Sequence, residues 1–105
     1  MKHCKRLPEF EKEFARLSRK YPSIPDDIEK FERIIALYPV GVGVNFVTIH
    51  QSQKVKIVKA RLACKSLRDR SIRIIYAFHP DRIEFVYIEV YFKGDKENED
   101  RGRVE

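Results

Sequence analysis

The chain has 105 residues, with 22 Lys and Arg against 16 Asp and Glu, three His, two Cys and no Trp. That length suits one domain, residues 1–105, with a single modest core, and 43% apolar with 36% charged residues excludes a disordered chain. Two Cys exclude a disulfide scaffold, and the short apolar runs exclude a transmembrane helix. The basic start Met1-Lys2-His3-Cys4-Lys5-Arg6 leads into acidic helical sequence, so the cytoplasm is the expected location.

In chain order, Leu7, Phe10, Phe14, Leu17 and Tyr21 recur at helical spacing, with Pro8 at the first turn. Tyr21-Pro22 stops this helix. Ser23 is the expected N-cap of a second helix, with Asp26 completing a near capping box. Ile28, Phe31, Ile34, Ile35 and Tyr38 give that helix its apolar face, and Pro39 with Gly41 ends it. Gly41-Val42-Gly43 lacks the third glycine of a dinucleotide fingerprint and the Gly-Lys-Ser/Thr ending of a phosphate loop, so it reads as a turn. Residues 41–53 are ambiguous, with Val44–Ile49 either a strand or an ordered loop.

Lys54–Leu62, Ser71–His79 and Ile83–Phe92 read as strands, the last two joined at His79-Pro80-Asp81-Arg82 into an antiparallel hairpin. The charged stretch Asp95–Glu105 reads as a short helix or a solvated tail. The fold class is therefore α+β: an N-terminal α-hairpin on a small antiparallel β-sheet, followed by a short polar C-terminal helix or tail.

Charge is uneven along this plan. Residues 1–40 carry nine basic and seven acidic residues, residues 80–105 five and eight, and residues 41–79 eight basic residues against Asp69 alone. Such a patch attracts polyphosphate or an acidic protein, and can equally be a solvated face. Strand alternation puts Val58, Ala60 and Leu62 opposite Lys59 and Arg61, and puts Ile72, Ile74, Tyr76 and Phe78 opposite Arg73. On the last strand it puts Val86, Ile88, Val90 and Phe92 opposite Tyr87, Glu89, Tyr91 and Lys93. If the helices cover the aliphatic faces, Lys59, Arg61, Arg73, Glu89, Tyr91 and Lys93 share the other one. Cations and rings together suit single-stranded RNA. Glu89 is equally a general base or an ion-pair partner of Arg73. His3, Cys4, His50, Cys64 and His79 have no metal-ligand spacing, and neither metal nor cofactor is expected. Cys64 reads as a buried small hydrophobe.

From Leu7 to about residue 100 the pattern resembles the RelE/ParE superfamily of toxins from type II toxin–antitoxin pairs. The likeness rests on the hairpin Leu7–Tyr38 and on Val58-Lys59-Ala60-Arg61-Leu62-Ala63-Cys64-Lys65-Ser66-Leu67. It rests also on Ile72-Arg73-Ile74-Ile75-Tyr76 and on Ile88-Glu89-Val90-Tyr91-Phe92-Lys93-Gly94-Asp95-Lys96-Glu97. The resemblance implies a RelE-like fold and a metal-independent endoribonuclease that cuts mRNA, often on the ribosome, until a cognate antitoxin masks it. In that chemistry the 2′-hydroxyl loses a proton and attacks the adjacent phosphate, and the 5′-oxygen leaves protonated. A base, a cationic clamp and an acid must then share one surface.

By motif position the resemblance assigns Lys59, Arg61, Arg73 and Lys93 to that site, but it leaves the acid unassigned: the family has a tyrosine or histidine near the C-terminus, and here Tyr91 substitutes only if it faces the same site, with Lys96 or Arg101 otherwise having to reach it. Residues 93–100 carry neither of those types. Lys54, Lys56, Lys65 and Arg68 would bind RNA beside it. The same superfamily implies two alternatives: a non-enzymatic ParE-like toxin that binds DNA gyrase, or a decayed nucleic-acid- or protein-binding module.

Overall fold

A computed structural model describes residues 4–68 and 70–92. Its elements run β1 (Cys4–Arg6), α1 (Pro8–Lys20), α2 (Ile24–Leu37), β2 (Phe46–Gln51), β3 (Lys56–Cys64), a 3-10 turn (Lys65–Leu67), β4 (Arg70–His79) and β5 (Glu84–Phe92). The strands form one sheet in the order β1-β5-β4-β3-β2. The chain is thus α+β, as expected. The expected C-terminal helix or tail at Asp95–Glu105 lies outside the described residues.

The helices follow their sequence signals. Pro8 opens α1, Glu9 and Glu11 sit in its first turn, and Arg19 and Lys20 complement the dipole at its end. Phe10 and Leu17 on α1, and Ile24, Ile28, Phe31 and Ile35 on α2, are buried against Val58, Ala60, Ile72, Ile74, Tyr76, Phe85, Tyr87 and Val90 of the sheet. Removing such area from water is the main favourable term of folding. At the end of α2, Gly41 takes φ +80°, and a Cβ there would lie 1.9 Å from the Phe46 ring, so only glycine fits.

Three expectations are corrected. First, the sheet is mixed, because β1 pairs parallel with β5 through Cys4–Phe85, Lys5–Val86 and Arg6–Tyr87. Three residues, two of them charged, carry no strand periodicity of their own. Tertiary contacts hold them: Lys5 Nζ lies 3.0 Å from a Glu84 carboxylate oxygen, and the Arg6 guanidinium sits 4.5 Å from the centre of the Phe14 ring.

Second, Ser23 occupies the N-cap position of α2 but makes no side-chain cap. Its hydroxyl donates to Asp27 Oδ2 at 2.7 Å and accepts from the Ser66 amide at 2.8 Å, while the Lys65 amide donates to the same Asp27 oxygen at 3.3 Å. The serine therefore fastens α2 to the turn after β3, and Asp27 rather than Asp26 is its partner.

Third, strict alternation fails on β5. Ile75 pairs with Glu89 but Tyr76 pairs with Tyr87, so a bulge at Ile88 inserts one residue into β5. The phase shift puts Tyr87 on the helix-covered face with Phe85, Val90 and Phe92, where its hydroxyl donates to Glu32 Oε2 at 3.1 Å. Val86 and Ile88 move to the opposite face. There they join Ile57, Ile75, Ala77, Ile49 and Val55 in a second apolar cluster.

Candidate nucleic-acid interface

The face turned away from the helices is divided. Nearest the β4–β5 turn it is the second apolar cluster, and towards the other end of the strands it becomes polar. Two rows cross that polar half. Lys59, Ile75 and Glu89 are in register across β3, β4 and β5, and so are Arg61, Arg73 and Tyr91 one step along. Alternation on β3 and β4, and on β5 beyond its bulge, keeps these side chains on one face.

The Arg61–Arg73 pair is the unusual element. The Arg61 amide bonds outward to the Asn45 carbonyl at 2.9 Å, so towards β4 it belongs to a non-hydrogen-bonded pair. In such a pair the Cα atoms approach to about 4.5 Å and the side chains stand closest. Like charges directly opposite destabilise a sheet unless an anion lies between or above them. Arg61 is exposed, and Arg73 and Lys59 are half-buried. By strand alternation all three cations belong to this one face.

Their neighbours on β5 are enclosed. Glu89 is 0% exposed and Tyr91 3%. On the expected open basic face, both were to meet solvent; both instead lie inside it, shielded from bulk water. Lys93, the remaining member of the expected set, lies outside the described residues.

The expected flanking RNA contacts do not form one patch. Lys54 lies in the exposed turn before β3, and Lys56 is half-buried at the start of that strand, on the helix side by parity. Lys65 and Arg68 are exposed at the far end, about 27 Å along the strand from Lys56. Arg68 caps the 3-10 turn with φ +55°. Lys65 borders the Ser23–Asp27 corner with Lys30 and Arg33 of α2, so it faces the helical side.

A groove of about 250 Å³ runs between α2 and the end of β3 that β2 does not cover, lined by Lys30, Phe31, Ile34, Phe46, Arg61 and Leu62. Sequence reasoning missed it because it depends on where β2 stops. The groove brings Lys30 and the Arg61 edge together. Among the described residues no cluster of His, Cys, Asp or Glu has the makings of a metal site. The thiol of Cys4, half-buried beside Tyr87, is pushed above its ordinary range by burial and by the Glu32 charge. It is a poor nucleophile for that reason. Cys64 is fully buried and packs as a small apolar residue.

Comparison of the chain with models of protein families, with curated proteins and with solved structures returns no match. No helix among the described residues is long and apolar enough to cross a membrane.

Proposed function

We propose that this chain is a RelE-like toxin: an endoribonuclease that cuts mRNA on the ribosome and is neutralised by an acidic antitoxin. The observation that carries the reading is the close Arg61–Arg73 pair with Lys59 beside it on one face. Two guanidiniums held at the closest register of an antiparallel sheet make a clamp for a phosphate, and they stabilise the charge that accumulates as the 2′-hydroxyl attacks. Lys59 is the third cation on the same surface. Tyr91 is in register with Arg73 but buried out of reach of a 5′-oxygen, so this reading rests on the cationic clamp and gives the acid role to none of the described residues.

The test is purified protein in a translating extract, with primer extension on the message. Discrete cuts are expected, and Arg73→Ala should slow them about a hundred- to thousand-fold, the loss of one donor to a transition-state anion. Intact message at all protein concentrations, or parent-rate cutting by a folded Arg73→Ala chain, would overturn the reading.

The enclosure of Glu89 and Tyr91 favours one alternative, a ParE-like protein whose basic face binds DNA gyrase without chemistry. Inhibited supercoiling with uncut message would select it.

A further inference from the structure

The two edges of the sheet are built in opposite ways. The β1 edge is three residues long, carries Lys5 and Arg6, and is continued by Glu13 of α1, whose carboxylate accepts the Val90 amide at 3.3 Å. Short length, basic side chains and a capped amide are the devices that stop one sheet from adding to another. The β2 edge has few of them. Its sequence Phe46-Val47-Thr48-Ile49-His50-Gln51 holds no Asp, Glu, Lys, Arg or Pro. Only the bulge between Thr48 and His50 interrupts it. No strand among the described residues lies beyond it.

Because the Asn45 carbonyl and Val47 face β3, alternation turns the backbone groups of Phe46 and Thr48 outward. Apolar side chains flank this edge. Ile34, Leu37 and Tyr38 end α2, Val42 and Val44 lie in the following loop, and Val47 is on β2, with Leu37 76% and Val44 87% exposed.

We infer that the β2 edge is a self-association surface, on which a second copy of this chain adds its own β2 antiparallel across a two-fold axis at Val47. That axis sets Phe46 opposite Thr48 of the second copy, so their outward amides and carbonyls exchange bonds, and brings the two Val47 side chains together. The uncharged strand is self-complementary where a charged one would repel. The bulge confines pairing to the stretch before it. The remaining charge of each copy, +6 overall, opposes association at long range, so salt should strengthen this dimer. An acidic partner on the same surface would show the reverse dependence.

Sedimentation equilibrium of the full chain tests the inference. The mass is expected to rise from 12.5 kDa to twice that with micromolar dissociation, and to do so more readily at high salt. Val47→Lys, which places a charge at an exposed position of the axis, should weaken the dimer at least tenfold. Thr48→Pro removes an outward amide that β3 does not use, and should do the same. Ala15→Lys, on the exposed face of α1, adds the same charge elsewhere and should leave the dimer unchanged. A mass of 12.5 kDa up to high concentration would overturn the inference, as would a dimer that folded Val47→Lys protein still forms at parent strength. Assemblies that grow beyond two copies, or a dimer that salt dissolves, would overturn it too.

Discussion

The hydroxyl of Ser23 donates to the buried Asp27 and receives the Ser66 amide, so one oxygen holds the start of α2 against the turn that follows β3. Ser23→Ala leaves a buried carboxyl oxygen and a backbone amide without this link, which should cost about 1–3 kcal/mol. Denaturant unfolding of the variant checks it; a loss of only a few tenths would mean that water replaces the hydroxyl. Arg73 is different in kind. Its neighbours on β4 are apolar and buried, but its own side chain is half-open, so Arg73→Ala should lower stability far less than Ser23→Ala while it removes cutting. A large fall in melting temperature instead would identify Arg73 as a structural partner of the buried Glu89. Neither role of Ser23 follows from the local sequence. Ser-x-x-Asp reads as a capping box whenever the residues beyond the turn are unknown, and Ser66 lies 43 positions away.

At the scale of elements, Lys5 and Glu84 fasten β1 to β5. The Lys5 hydrogen bond and charge, with Arg82 behind it, hold the Glu84 carboxyl below its ordinary range. A carboxyl lowered on folding stabilises the protein above its unfolded pKa, about 4.3, and that contribution is lost as pH falls through the lower folded value. The amide of Leu7, bonded to the Tyr87 carbonyl at 3.1 Å, should therefore lose order in that acidic window. Following its NMR resonance against pH checks this, and Lys5→Met should remove the step. Both helices, the β4–β5 hairpin and the core faces of β3 and β4 were legible from periodicity and turn residues. The register of β5 was not. A bulge at Ile88 exchanges faces without altering composition, and it sends Tyr87 inward although simple alternation puts it outside. The set Lys59, Arg61 and Arg73 could be assembled on paper because β3 and β4 pair without a shift. Burial of Glu89 and Tyr91 could not, since parity gives a face and says nothing of what covers it.

For the whole molecule, the excess charge of residues 41–79 is drawn out along β3 rather than gathered, with Arg61 in the middle and Lys54 and Arg68 at opposite ends. A long acidic segment matches that distribution better than a compact domain. Lys59→Glu with Arg61→Glu should therefore slow capture of an acidic antitoxin, most strongly at low salt, as well as weakening RNA cleavage. Stopped-flow association at two salt concentrations measures it; equal rates for parent and variant at both would place neutralisation on another surface. The parallel pairing of β1 with β5 has a temporal consequence. Cys4 reaches its partner Phe85 only after nearly the whole described chain has been made, so β1 leaves the ribosome long before it can dock. Until then the sheet lacks an edge and the Arg6–Phe14 contact has no β5 beneath it. A nascent chain is consequently unfinished as a folded object until β5 emerges, and synthesis itself delays the moment at which the basic face is assembled.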